Sequence, residues 1–281
     1  MNPYRIYRDE WARALASQSE ASSYSTFVAM PFEDTFSYRA RPILSKVIGR
    51  AAREADRAGR SKRPFATPER VDRPMGAAVI TEEIVLGILN SHFFIADVTF
   101  QNPGVLLEAG IALAIKPGRQ IILITQGSPS ELHFDLRGNN VISYSPTGSV
   151  VKIAEALIAA ARHFEEQLDH YAASVVKQLS PEAIALLKWY GTIQLQHPGL
   201  SLHSGNMGPW LAGKSALQPF EAAARELREK DLLWTDYRPD ATPTGDLHGT
   251  HAPELGWVVI GKLWPSLRRA SDTALKEGSD N

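Results

Sequence analysis

Ser91–Thr125 reads SHFFIADVTFQNPGVLLEAGIALAIKPGRQIILIT, and the rest of the chain is organised around it. An apolar run, Phe93-Phe94-Ile95-Ala96, ends at Asp97. A polar turn follows through Thr99, Phe100, Gln101 and Asn102, and then a helix-like segment from Val105 to Ile115. A second apolar run, Gln120 to Ile124, closes the stretch. Two short apolar runs separated by one helix predict a βαβ unit whose strands are buried in a parallel sheet. Asn102 suits a helix N-cap and Pro103 the first helical position. Open α/β sheets bind ligands outside the carboxyl ends of their strands, so Asp97, Asn102 and the first turns of the helix stand where chemistry is expected. Glu108 is the anomaly. Leu106, Leu107, Ala109, Ile111, Ala112 and Leu113 surround it in sequence, which predicts a carboxylate in a crevice rather than on a solvated face.

Outward from this unit the pattern repeats. Thr26-Phe27-Val28-Ala29-Met30 predicts a first strand, with Pro31-Phe32-Glu33-Asp34 as the loop at its carboxyl end. Ile43, Leu44, Val47, Ile48 and Ala51 recur at helical spacing, predicting an amphipathic helix over 36–58 that stops at Gly59. The cationic run Arg57 to Arg63 suits a solvated loop better than a phosphate site. A short second strand is expected within Ala66–Val71, and a helix from about Val79 to Asn90. Arg70, Asp72 and Arg73 then lie after a strand, on the same edge as Phe32 and Asp97. Either arginine holds a phosphate or ribose with its planar fork, or both pair internally with Asp72 and Glu69. His133-Phe134-Asp135-Leu136-Arg137 precedes a fifth strand at Val141–Tyr144, with Asp135 and Arg137 structural first and edge residues second. Val150, Ile153, Ala154, Leu157, Ile158, Ala161 and Phe164 keep a 3.6-residue rhythm, giving a long closing helix. Five strands alternating with helices describe an α/β, flavodoxin-like (Rossmann-like), doubly wound five-stranded parallel sheet.

Asn102-Pro-Gly104-Val-Leu-Leu-Glu108-Ala-Gly110-Ile-Ala112, following a strand that ends in Asp97, resembles the nucleoside 2-deoxyribosyltransferase-like group. That group includes nucleotide N-glycoside hydrolases, and TIR-like NAD hydrolases share its general architecture. In the transferases a helix carries a glutamate nucleophile in the setting D-x-G-T-x-x-E-x-G-x-A. Glu108, Gly104, Gly110 and Ala112 match it, while Asn102 replaces the aspartate and Val105 the threonine. The resemblance covers roughly residues 24–165. It implies catalysis by Glu108, Asp97 and Asn102, and substrate contact by Met30, Pro31, Phe32, Arg70, Asp72, Arg73, Thr99 and Gly104. Phe32 either stacks on a base or staples its loop to the core. The implied chemistry is cleavage of an N-glycosidic bond in a nucleoside, nucleotide or NAD-like substrate. A carboxylate below the anomeric carbon stabilises or traps the oxocarbenium-like state. Asp97, or a water held by Asn102, supplies a proton to the departing base. No cofactor is expected. The alternative reading is a nucleotide-sensing module that signals to a partner without turnover.

The character of the sequence changes near His170. Ser180-Pro181-Glu182 marks a helix start over residues whose apolar face is Ile184, Leu187, Trp189 and Tyr190. A loop from Gln196 to Lys214 leads to a second helix, Pro219–Lys230. Asp231–Trp234 and Trp257–Ile260 are expected as two strands joined by a loop from Arg238 to Leu255. Helix, loop, helix and hairpin look like a smaller winged-helix-like α+β domain at 178–270, after the main domain at 24–168. Residues 1–23 form a helical appendage or an oligomer contact that includes Trp11, and 271–281 a flexible tail. Over 170–281 eleven Lys/Arg stand against twelve Asp/Glu. A DNA reader is expected to show a cationic helix or stripe, so protein contact is favoured over DNA.

Composition sets the outer limits. The chain has 281 residues, enough for one large or two ordinary domains, with 22% charged and 44% hydrophobic residues. A net charge of −1 gives no overall pull toward nucleic acid or anionic membrane. The absence of cysteine excludes disulfides and thiolate metal sites. His248 and His251 read as solvated loop histidines, because a metal there lacks further ligands. No apolar stretch approaches the ~18 residues of a membrane span, and the first twenty residues lack the apolar core of a signal peptide. The expected setting is cytoplasmic; the resemblance, with Trp11 as a contact surface, implies a homo-oligomer. There is no G-x-S-x-G, Walker loop or G-x-G-x-x-G after the first strand.

Overall fold

The computed structural model describes residues 14–15, 17–19, 21–31, 34, 38–70, 77–133, 136, 141–196, 218–238 and 246–264. Trp11, Phe32, Asp72, Arg73, Asp135, Arg137, the loop at 197–217 and the tail from 265 lie outside them. The chain divides into two compact units, Met1–Glu166 and Gln167–Asn281.

Unit 1 is a mixed α/β arrangement around four parallel strands: β1 (Thr26–Ala29), β2 (Phe93–Asp97), β3 (Ile121–Thr125) and β4 (Val141–Ser143), in that spatial order. It is compatible with a Rossmann-like fold. Every residue of β1 and β2 is buried, as strands covered on both faces must be. The register sets Phe27 beside Phe94, Asp97 beside Ile124 and Thr125 beside Ser143. The carboxyl ends of all four strands therefore share one edge.

The short second strand expected within 66–71 is corrected: among the described residues it is present only as two isolated parallel bridges, Tyr24 with Phe65 and Phe27 with Glu69. Pro64 and Pro68 lack the amide hydrogens that a continuous ladder needs. Four backbone bonds nonetheless fasten 64–69 alongside β1, including Val28 N to Glu69 O at 2.8 Å.

The helix after β1, α1, runs from Ala40 to Arg57 with a six-residue π segment, Ile43–Ile48, inside it. Gly59 turns the chain out of α1 at φ 62°. The cationic run beyond it is tied down more firmly than a solvated loop. Lys62 Nζ lies 2.9 Å from Glu165 Oε2, and Arg63 donates to the carbonyls of Gln18 and Ala21. Helix α2 (Ala77–Asn90) packs so closely on β1 that a Cβ at Gly87 would sit 2.5 Å from the Phe27 ring. Helix α3 (Pro103–Ile115) follows β2, and helix α4 (Val151–Val176) closes the unit and crosses its boundary.

At the amino end of β2 lies a buried polar cluster. Gln18 Nε2 donates to the carbonyls of Leu89 and Ser91 at 2.8 and 2.9 Å. His92 Nδ1 accepts from Ser25 N at 3.0 Å, which leaves Nε2 to donate to Gln18 O at 2.9 Å. Burial holds the His92 imidazole down at about 4, with the Arg63 and Lys116 charges acting the same way and the bond to Gln18 opposing. Lys116 is 3% exposed, donates to Ser91 O, and is pushed down to about 7 by burial. Ala14, Leu15, Gln18 and Ser19 are thus part of the buried interior of unit 1.

Unit 2 contains α5 (Pro181–Gln196), α6 (Gln218–Glu229), an antiparallel pair β5 (Trp234–Arg238) and β6 (Asp246–His251), and α7 (Glu254–Leu263). Ser180 caps α5, its Oγ accepting from Ala183 N and donating to Glu226 of α6. The expected second strand, Trp257–Ile260, is instead helical, and its place is taken by β6 inside the expected loop. His248 and His251 accordingly stand on a strand, with the His251 ring stacked on Trp234 at 6.5 Å. The winged-helix-like hairpin is corrected to that extent. Among the described residues no helix is long and apolar enough to cross a membrane.

Candidate functional site

Asp97 ends β2 at the carboxyl edge of the sheet and is fully buried. A carboxylate cannot stay there without donors. Four reach it. Thr99 supplies its backbone N–H to Oδ1 at 3.1 Å and its hydroxyl to the same oxygen. Tyr38 donates to Oδ2 at 2.9 Å, and Tyr144 donates to Oδ2 as well. The cluster extends outward: Gln126 N donates to Thr99 Oγ1 at 3.0 Å, and Gln126 Nε2 to Tyr144 Oη at 3.1 Å. Burial raises the Asp97 carboxyl above its ordinary value, against the hydrogen bonds from Thr99, Tyr144 and Tyr38. Burial and the Asp97 charge raise both phenols, so they remain protonated donors.

The register explains the meeting. Asp97 lies beside Ile124, Ile124 beside Ile142, and Tyr144 N donates to Thr125 O just past β4. Tyr38 arrives from the start of α1. The turn after Asp97 is strained. Phe100 and Gln101 take φ of 61° and 50°, a left-handed conformation that residues with a Cβ adopt at a cost. Gln101 secures the turn by accepting from His133 N at 2.9 Å. Phe100 sets its ring against Tyr38, with centroids 6.0 Å apart and planes at 66°, and is 62% exposed.

Asn102 caps α3, its Oδ1 accepting from Gly104 N at 3.0 Å and Val105 N at 3.3 Å. That side-chain oxygen and the exposed Gly104 backbone are joined as the sequence pattern suggests. Val105, Ala109, Ala112 and Ile115 face the core, while Leu107 and Leu113 are exposed. Glu108 is partly buried between these faces, and burial alone pushes its carboxyl up to about 7. Among the described residues none gives it a hydrogen bond or ion pair. Met30 and Pro31 are buried, and Pro31 O accepts from Arg70 at 3.4 Å. The Arg70 guanidinium also opposes the rise at Tyr38.

Six of the sequence-predicted residues form three bonded pairs, Asp97 with Thr99, Asn102 with Gly104, and Arg70 with Pro31. Glu108 bonds to none of these. Tyr38, Tyr144, Gln126 and Phe100 were missed by the sequence reading. A signal for the tyrosines was present: a strand-end aspartate after an apolar run needs donors, and each tyrosine borders an element that meets the same edge. Among the described residues no group of three or more His, Asp or Glu is placed to hold a metal ion. The chain matches no family model, no curated protein and no solved structure.

Proposed function

We propose that this protein cleaves the N-glycosidic bond of a nucleoside, nucleotide or NAD-like substrate, with Glu108 as the reacting carboxylate. The observation that carries the reading is the state of Glu108: partly buried, unpaired among the described residues, and raised from 4.5 to about 7 by burial alone. A buried salt bridge would have the opposite signature, a partner and a lowered value. The ionised carboxylate attacks the anomeric carbon as the bond to the base nitrogen breaks. The electron pair leaves with the base, which takes a proton from solvent. Water then opens the glycosyl ester and regenerates the carboxylate, or a second base does so in a transferase. The resemblance around Asn102–Ala112 supports this assignment, as does the position of α3 after a parallel strand. The sheet, with 64–69 fastened beside β1, is read as flavodoxin-like. Unit 2, two helices leading to an antiparallel pair, is read as a winged-helix-like module that contacts protein.

The test is base release over a panel of nucleosides, nucleotides and NAD, with melting temperature measured on the same samples. Wild type is expected to release base from at least one member. Glu108→Gln should lose roughly 100-fold or more in rate, the scale of losing an electrostatic partner in the transition state. It should melt no earlier than wild type, because an amide is easier to bury than a carboxylate. An early-melting variant beside an inactive wild type rejects the assignment.

A further inference from the structure

Phe100 has no part in the chemistry above, yet it is the most conspicuous residue at the carboxyl edge. The residue is 62% exposed, a large apolar side chain left in contact with solvent. Its backbone sits at φ 61° and is followed by Gln101 at 50°, where glycine or asparagine would be accommodated with less strain. The turn is nevertheless held rigidly. Thr99 on one side of Phe100 spends its hydroxyl and its backbone N–H on Asp97. Gln101 on the other side donates its N–H to Val98 O at 3.0 Å and accepts from His133 N at 2.9 Å. Tyr38, fixed by its own bond to Asp97, meets the Phe100 ring at 66° and so sets the plane of that ring.

An apolar side chain exposed on a strained turn gains the fold little from its exposed surface. We infer that Phe100 is a specificity residue that stacks the planar heteroaromatic base of the substrate, and that Asp97 is a positioning residue which fixes this ring through Thr99 and Tyr38. The inference rests on the proposed N-glycosidic activity and names which part of the substrate the edge grips. Asp97 is wholly buried with its oxygens taken by four donors, and its part is to position rather than to touch substrate.

The experiment compares Phe100→Ala, Phe100→Leu, Phe100→Trp and Phe100→Asn in steady-state base release, with the best panel substrate and with melting temperature as a control. Loss of one aromatic–base stack should raise KM by roughly 5- to 100-fold, with kcat changed far less. Phe100→Trp, which keeps a π face, should restore KM; Phe100→Leu, apolar but without one, should not. Phe100→Asn, suited to the left-handed backbone, should melt no lower than wild type while showing the weakened KM. Equal KM in wild type and Phe100→Ala, or full rescue by leucine, overturns the stacking assignment while leaving the proposed activity standing. A wild type that neither releases base from nor binds any panel member overturns both.

Discussion

Strand β2 carries a buried polar cluster at each end, and the two differ in kind. At the amino end Gln18, Ser25, His92 and Lys116 exchange hydrogen bonds among themselves and with the carbonyls of Leu89 and Ser91. None of these residues takes a left-handed backbone, and the bonds tie Gln18 to the core. At the carboxyl end the Asp97 carboxylate is equally buried and equally satisfied. Its donors, however, hold a left-handed turn that displays an aromatic ring, and α3 beyond it carries an unpaired carboxylate. Burial and saturation are common to both ends, so neither marks function. What sets the carboxyl end apart is rigidity used to support groups that gain nothing from the fold itself.

The largest effect that sharpens this contrast is expected at Asp97. Asp97→Ala leaves the buried Tyr38 and Tyr144 hydroxyls without their acceptor. At about 1–3 kcal/mol for each stranded donor, urea unfolding should show a loss of roughly 3 kcal/mol or more. A loss within experimental error would mean that the turn is held by other contacts.

The amino end should respond in the opposite sense. Lys116 has a folded-state value near 7 against an ordinary 10.5. Between those values the unfolded chain keeps a proton that the native state has released, so stability rises with pH across that window. Lys116→Met removes the buried cation, and Ser91 O keeps its bond from Gln18. The variant should be more stable than wild type at pH 7 by on the order of a few kcal/mol, and should lose the rise above neutrality. It should leave base release unchanged. A destabilised Lys116→Met, or one that changes turnover, would erase the distinction between the two ends.

Most of unit 1 was legible because its signals are local. Apolar runs with no polar alternation specify doubly covered strands, and Asn102-Pro103 specifies the start of α3. Unit 2 shows where local signals fail. Trp257-Val258-Val259-Ile260 is rich in strand-forming residues, yet it is helical, with Leu255 and Val259 one turn apart and both buried. Tertiary packing overrides so weak a preference. The true partner of β5, Asp246–His251, is DLHGTH, polar and glycine-containing, and nothing in it announces a strand. At the site, Glu108 was visible as a lone charge in an apolar helix. Phe100 was not, because its meaning lies in a backbone angle and in exposure, and neither can be read from composition.

The pH profile of kcat/KM for base release reads the role of Glu108 directly. A carboxylate that attacks the anomeric carbon works only when ionised, and Glu108 ionises at about 7 instead of 4.5. The rate should therefore climb with pH through neutrality and level off above it, and Glu108→Gln should lack that rising limb. A wild-type profile that is flat from about pH 5 to about pH 9, or that keeps the same limb in Glu108→Gln, would show that another group carries the reaction.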